Sequence, residues 1–198
     1  GHYLLEIDFS SIEALIGGYL AKDAALITAA KNSIHALLAS YALVDMGEWR
    51  EPISRSWPQP QIAGAVALIK DKWAKLYAQC KAVSYLSIYG GTPKRMLYEN
   101  PDVFRSIAEA RRLQETLFNT FGRSIRTWQE ATLKLAAEQN WLETPFGYRH
   151  YFYDVLIPRS RQDRLKKRAR GLGICSDYKL GSQAKEALAF MPQSIAAS

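Results

Sequence analysis

One lysine and two tyrosines recur at intervals of four residues in the stretch QCKAVSYLSIYGG, residues 79–91. On a helix, Lys81, Tyr85 and Tyr89 would share one face. An ammonium group and two phenol rings on one face could bind an anionic ligand that also carries a flat ring. Taken alone, the stretch also fits rings packed at the rim of a core, with the lysine reaching solvent. The pair Gly90-Gly91 is expected to end the helix just beyond these residues.

A carboxylate, Asp8, stands near the end of a stretch that alternates apolar and other residues over positions 3–9. This alternation predicts a β-strand. Ser10 and Glu13 then form the Ser-x-x-Glu pattern of a capping box, and apolar residues at helical spacing follow them. A carboxylate at the end of an apolar strand is poorly placed for packing, which makes Asp8 a candidate for chemistry.

The rest of the chain predicts further helices and one hairpin. Ser33 is expected to open a helix on which His35 lies off the apolar face, at the surface. Residues 45–60 contain three prolines and a glycine and predict a loop or insertion. From about residue 61 one continuous helix is expected to run through Trp73 into the Lys81 stretch.

Beyond the Lys81 stretch, helices are predicted after Pro101 and again around 125–135, followed by a hairpin over 141–155 and a last helix or loop at 184–198. The predicted class is α+β, mostly helical. Gly17-Gly18, inside the first helix, predicts close packing against a neighbouring element.

Composition narrows the possible functions. At 198 residues with 48% hydrophobic content, the chain can form one domain or a large piece of one. The net charge is +7, and residues 159–170 carry seven basic residues and one acidic residue, which gives +6. This segment is either a solvated face or a contact surface for a phosphate backbone.

The sequence gives no signal for a membrane, a disulfide or a zinc site. No apolar run approaches the length of a membrane span, and the N-terminus has no signal-peptide layout, so a cytoplasmic protein is expected. Cys80 and Cys175 have no metal-ligand spacing and are expected to be reduced thiols.

Five stretches, in order, resemble the family A DNA polymerases, the DNA polymerase I-like enzymes, and in particular their phage-like members. LLEIDFSSIEALIGGYLAKD is similar to motif A, and KAVSYLSIYGG is similar to motif B, the fingers helix. FMPQSIAAS resembles the Pro-x-Gln segment that precedes motif C. SIHALLAS and ETPFGYRHYF resemble two further family stretches. The resemblance spans nearly the whole chain, and the order of the five stretches makes it specific.

The resemblance implies a fold of polymerase fingers with part of the palm. Residues 1–12 would form the palm strand with motif A, 13–175 the fingers with motif B, and 176–198 an incomplete return to the palm. It also implies DNA synthesis directed by a template and performed with two Mg²⁺ ions. The partners would be a DNA template-primer and deoxynucleoside triphosphates (dNTPs), in the cytoplasm of a bacterial or phage-infected cell.

The resemblance assigns metal and catalytic roles to two side chains and one backbone group. Asp8 would bridge both Mg²⁺ ions, and the Phe9 carbonyl would complete one coordination sphere, as suits a hard cation. Lys81 would contact the triphosphate and donate a proton to the pyrophosphate that leaves.

The remaining assigned residues would bind nucleotide or DNA. Tyr85 would stack on the incoming base and sugar, and a tyrosine there implies tolerance of a missing 3′-hydroxyl. Glu13 would exclude a 2′-hydroxyl, in addition to its capping role. Ser11, His35 and Tyr89 would also be nucleotide-binding residues. Gly90, Arg149 and Gln193 would contact DNA, with Gln193 in the minor groove.

The sequence departs from the family pattern in three respects. The family has an arginine one turn before the motif B lysine, and here that position is Tyr77. Lys70 lies eleven residues before Lys81, which on one continuous helix is about 16 Å and too far to replace the arginine. Ile195 and Ser198 replace a usual threonine and aspartate. Motif C, with its second metal-binding aspartate, does not occur in these residues, so the 198-residue chain alone is expected to be inactive and to need a further segment carrying motif C.

Three hypotheses follow. The chain is part of a larger or split polymerase, or a non-catalytic remnant that binds nucleic acid, or a helical interaction domain in which the motifs match by accident. Primer extension separates the first two. An affinity for template-primer that does not fall as the salt concentration rises would count against phosphate contacts.

Overall fold

The structure is a computed structural model that describes residues 11–54, 56–160 and 178–197. The predicted strand at 3–9, with Asp8 and Phe9, lies outside these ranges, and so do Cys175 and all but the first two residues of the basic segment. Nine helices and four strands are found in the described ranges. They are α1 Ile12–Leu20, α2 Ala24–Lys31, α3 Ile34–Asp45, α4 Gln59–Lys72, α5 Ala74–Ile88, α6 Pro93–Glu99, α7 Ile107–Thr120, α8 Ile125–Gln139, β1 Trp141–Glu143, β2 Arg149–Tyr151, β3 Leu156–Pro158, β4 Tyr178–Leu180 and α9 Ala184–Ala196.

The strands form two small antiparallel sheets. β1 pairs with β2 as the predicted hairpin, with Leu142 opposite His150. β3 pairs with β4, a pairing that the sequence did not indicate. The mostly helical α+β class is therefore confirmed. No helix in the described parts of the chain is both long and apolar enough to cross a membrane.

Helix α3 is the central helix of the larger core. It contacts α2, α4, α5 and α7, and every residue from 34 to 40 is buried. The loop that follows it has no helix or strand in its described residues, as predicted, and is tethered where the Ile53 N–H donates to Ser40 Oγ at 3.0 Å. A second, smaller core joins α8, α9 and the strands around Leu142, Phe152 and Leu188.

Helix α1 begins differently from the prediction. Its N-cap is Ser11 rather than Ser10, with a left-handed φ of 58° and no side-chain capping bond. Glu13 is therefore two residues after the N-cap rather than the three of a capping box, and Ser10, the other half of the predicted box, lies outside the described residues. The predicted close packing at the glycine pair is confirmed, because a Cβ on Gly18 would lie 2.9 Å from Ile27 Cγ1 of α2.

The helix predicted from about residue 61 to 89 is in fact two helices. It breaks at Trp73, whose φ and ψ of −125° and 43° are not helical. The Trp73 ring packs edge-on against Trp49, from the loop after α3, with centroids 6.1 Å apart. Neither proline nor glycine marks the break, which coincides with a tertiary contact that periodicity alone does not show.

Two buried glutamines hold the C-terminal end of α5. Gln129 Nε2 of α8 donates to the carbonyls of Ser87 and Ile88, both at 2.8 Å. Gln114 Nε2 of α7 donates to Ser87 Oγ at 3.1 Å and to the Gly91 carbonyl at 2.8 Å. The last carbonyls of a helix have no partner within it, so these bonds fix α5 against its neighbours.

We expect Gln129→Leu to lower the free energy of unfolding by about 2 kcal/mol, because the buried Ile88 carbonyl loses its donor and the Ser87 carbonyl is left with the longer bond from the Gly90 N–H, at 3.2 Å. Urea unfolding monitored by circular dichroism measures this change. The matched control is Gln61→Leu on α4, where the glutamine is exposed, and there the change should stay within about 0.5 kcal/mol. Equal effects at the two positions would contradict the role of Gln129.

Candidate functional site

Helix α5 carries the lysine and tyrosines on which the functional hypothesis depends. The predicted helix and its end at the glycine pair are confirmed: the helix closes at Ile88, Tyr89 is the C-cap, and Gly90 has a φ of 71°. Lys81 is exposed, while Tyr85 and Tyr89 are half-buried. The helix therefore presents an accessible ammonium group beside two partly covered rings.

His35 is buried, with 5% of its surface exposed, so the predicted surface position was wrong. The reason is that α3 is covered on nearly all sides, and an apolar-face argument works only for a helix with one solvent face. The His35 ring lies 5.5 Å from the Tyr85 ring and 5.9 Å from the Tyr77 ring, centroid to centroid. Its Nδ1 has no hydrogen-bond partner among the described residues.

The environment of His35 keeps its imidazole neutral. Burial, and then the positive charges of Lys81 and Lys70, lower the pKa of His35 to about 4. A buried cation is costly, and two ammonium groups nearby raise the cost. At neutral pH the ring is therefore a polar, uncharged group in a positive environment.

This shift predicts that stability falls with acidity. Between pH 6.5 and 4 the unfolded chain binds a proton at His35 that the folded chain does not, so the free energy of unfolding falls as pH falls. From pH 7 to pH 5 the His35 contribution is about 2 kcal/mol. The groups that face the ring are Lys70 of α4 and Tyr77, Lys81 and Tyr85 of α5.

Urea unfolding at pH 7 and pH 5 tests this prediction with the unaltered chain and a His35→Gln variant. The loss of stability on acidification should be smaller in the variant by the His35 contribution. An equal loss in both proteins would show that His35 titrates normally in the folded state.

Lys70 lies beside the position where the resemblance calls for an arginine. Its Nζ is 5.4 Å from the centroid of the Tyr77 ring. The expectation that Lys70 is too distant from Lys81 assumed one continuous helix, and the break at Trp73 removes that assumption. Neither Lys70 nor Lys81 has a carboxylate within 4 Å in the part of the chain that the structure describes.

A second group of predicted residues meets at Tyr89. Glu13 of α1 and Gln193 of α9 both lie beside the Tyr89 hydroxyl, although neither makes a hydrogen bond of good geometry with it. Burial, followed by the Glu13 carboxylate, raises the pKa of Tyr89, while Gln193 opposes the shift. Tyr85 also raises the pKa of Tyr89, and its ring contacts His35. The residues around Tyr89 and those around His35 therefore share Tyr85 as a neighbour.

The glycine that follows Tyr89 brings α9 close. A Cβ on Gly90 would lie 2.9 Å from Leu188 Cδ1, and the left-handed backbone there favours glycine independently. Ser11, also in a left-handed conformation, is buried at the start of the helix that carries Glu13. The predicted DNA-binding residue Gly90 thus has a structural role that accounts for its identity.

Arg149 is on the β1–β2 hairpin rather than beside α5. Its Nε and Nη2 donate to Glu143 Oε2 at 2.8 and 2.6 Å, and its guanidinium lies 4.0 Å from the Trp141 ring centroid. The Glu143 carboxylate raises the pKa of Arg149. The side chain is exposed, so a DNA contact by Arg149 stays a prediction.

The proposed metal ligands, Asp8 and Phe9, lie outside the described residues. Within those residues no group of three or more histidine, cysteine, aspartate or glutamate side chains could hold a metal ion. Sequence reasoning did not assign a role to Tyr77 as a ring partner of His35 or to Lys70 as its neighbour. Lys70 and Tyr77 are seven residues apart, a spacing that places two residues on one side of a helix. The helix break at Trp73, between them, could not be recognised from the sequence.

Comparison with known proteins identifies the fold. No protein-family model matches the sequence, and no curated protein matches it. Among solved structures, the chain is similar to the POL domain of Pol1 from M. smegmatis, solved in complex with DNA primer-template and dNTP. The TM-score is 0.56 at 22% identity, and the match covers 96% of this chain and 26% of that chain. The fold is that of part of a polymerase domain.

The mostly helical architecture with small sheets agrees with this similarity to part of a polymerase domain. The chain spans about a quarter of the length of the structure it matches. At this level of identity the similarity describes the fold alone, and the division into fingers and palm segments stays a prediction.

Proposed function

We propose that this chain is the nucleotide-binding part of a family A DNA polymerase, with residues 13–175 as the fingers and 1–12 and 176–198 as palm segments. The observation that carries the proposal is the assembly around α5. Helices that are distant in sequence bring His35, Glu13 and Gln193 to the face defined by Lys81, Tyr85 and Tyr89. The similarity to a polymerase domain that was solved with primer-template and dNTP supports the same assignment.

Lys81 is the proposed contact for the triphosphate. Its ammonium is exposed and has no carboxylate within 4 Å among the described residues, so its charge is available to an anion. Charge held in place before the reaction stabilises the negative charge that develops as pyrophosphate leaves. We propose that the same group donates a proton to that oxygen.

Tyr85 and Glu13 are the proposed contacts for the base and sugar. Tyr85 is held by the buried His35 ring and would stack on the incoming base and sugar, with tolerance of a missing 3′-hydroxyl. Glu13 lies beside Tyr89 and would occupy the space that a 2′-hydroxyl requires, which selects deoxynucleotides. These two contacts would fix the sugar and leave the 3′-end of the primer to reach the α-phosphate.

The proposed cofactor is Mg²⁺, two ions in the complete site. Asp8 and the Phe9 carbonyl are oxygen donors, which suit this hard cation. When bound, the ions would neutralise the phosphates and the attacking 3′-oxygen. In this proposal a further segment carrying motif C supplies the second carboxylate.

Primer extension with Mg²⁺ and dNTPs tests the proposal, with the 198-residue chain alone and with an added segment carrying motif C. We expect no synthesis by the chain alone and synthesis after the addition. Robust extension by the chain alone would contradict the need for a second segment. Salt-sensitive binding of template-primer without any extension in either mixture would instead favour the non-catalytic remnant.

A further inference from the structure

We propose that Lys70 of α4 and Lys81 of α5 bind the triphosphate of the incoming nucleotide together, with the Tyr77 ring holding Lys70 in place. This inference rests on the proposed function and adds a binding residue that comes from outside α5. It also explains how a chain with an uncharged Tyr77 one turn before Lys81 can still present two cations to one anion.

The first step is the position of the Lys70 side chain. Its Nζ lies 5.4 Å from the Tyr77 ring centroid, within the range of a cation–π contact. Tyr77 is on the same face of α5 as Lys81, because the two are four residues apart. Contact with Tyr77 therefore places the Lys70 ammonium over the face that carries Lys81.

The second step is that both cations lie near one buried ring. His35 contacts Tyr77 and Tyr85, and its pKa responds to the charges of both Lys81 and Lys70. The charges of two lysines on different helices thus both act on His35. The unpartnered, buried Nδ1 of His35 adds a polar atom at the same place.

The third step is that the positive charge is not neutralised within the described residues. No carboxylate lies within 4 Å of either ammonium there. A face with two cations that have no carboxylate partner among the described residues, a neutral imidazole and aromatic rings fits a ligand with several negative charges and a flat ring. A nucleoside triphosphate has both features.

Calorimetric titration with Mg·dATP and with magnesium tripolyphosphate tests this inference, using the full chain bound to template-primer. Lys70→Ala is expected to weaken binding of both probes by about tenfold, as for loss of a hydrogen bond to a charged group. The matched control is Lys72→Ala. Lys72 is two residues away and exposed, and it lines a separate groove with Asp71 and Lys75.

A double variant that moves the positive charge from position 70 to position 77 supplies the decisive comparison. In Lys70→Ala with Tyr77→Arg, the cation returns on α5 itself, and affinity should recover towards that of the unaltered chain. Both lysines are exposed, and circular dichroism will confirm that each variant is folded. Affinity that stays low in this variant would show that a second cation beside Lys81 is not what Lys70 supplies.

The outcomes separate the inference from the proposed function. If Lys81→Ala weakens binding while Lys70→Ala behaves like the Lys72 control, the shared site is wrong and the nucleotide-binding function stands. If neither Lys81→Ala nor Lys70→Ala weakens binding, or if the unaltered chain binds neither probe, both the inference and the proposed function are wrong.

Discussion

Lys81→Ala is expected to lower the rate of nucleotide incorporation by about 10²- to 10³-fold, the usual cost of removing one group that stabilises developing charge. The ammonium that this substitution removes is exposed on α5. No carboxylate lies within 4 Å of it in the described ranges, so its charge is not neutralised there. The loss should appear in the rate at saturating dNTP as well as in affinity, since the charge on pyrophosphate grows during the reaction.

Single-turnover incorporation by the chain supplemented with a motif C segment measures the effect of Lys81→Ala. Lys75→Ala is the matched control, because Lys75 is also exposed on α5 but lines the groove with Lys72. A loss at Lys81 no larger than at Lys75 would contradict the phosphate contact. A loss confined to affinity would retain the contact and remove the proposed role in proton donation.

Asp8→Ala is the second substitution with a large expected effect. It should abolish nucleotide incorporation in the same assay, in which a motif C segment is added to the chain. In the proposed site Asp8 would hold the two Mg²⁺ ions, and two such ions would stabilise both the attacking and the leaving oxygen. Its removal should cost about 4 kcal/mol or more in the barrier, which corresponds to about 10³-fold in rate. Asp102→Ala, at an exposed position after α6, is the control and should leave the rate unchanged. Activity that survives in Asp8→Ala would refute the metal assignment.

Local signals predicted the elements whose limits are set by local chemistry. The glycine pair after Tyr89 marked the end of α5, and the turn around Pro145 marked the first hairpin. Helix α2 was missed although Asp23 is a typical N-cap, with Oδ1 accepting from the N–H groups of Ala25 and Leu26. Only three residues separate α2 from α1, so the two patterns merged.

The wrong predictions concern features that depend on tertiary contacts. His35 was assigned to the surface because one face of its helix is apolar, but α3 is enclosed by four other helices. The break at Trp73 coincides with the contact with Trp49, from a loop more than twenty residues earlier. The pairing of β3 with β4 joins residues about twenty positions apart. None of these contacts leaves a periodic pattern in the sequence.

The candidate site also combines residues that local spacing predicts with residues that only tertiary contacts bring together. Spacing alone placed Lys81, Tyr85 and Tyr89 together, because all three belong to one helix and its cap. The resemblance added Glu13, His35 and Gln193, and the structure brings each of them to α5. Lys70 became a candidate for the site only after the helix break was known, since its distance from Lys81 had been calculated along a straight helix.

Photo-crosslinking with an azido derivative of dATP, in the presence of template-primer and Mg²⁺, tests most directly whether α5 binds the incoming nucleotide. We predict labelling within the tryptic peptide 82–94, which contains Tyr85 and Tyr89, and loss of this label when unmodified dATP is in excess. Label that dATP displaces but that maps only to peptides without any residue of α1, α3, α5 or α9 would contradict the assignment of the nucleotide site to α5.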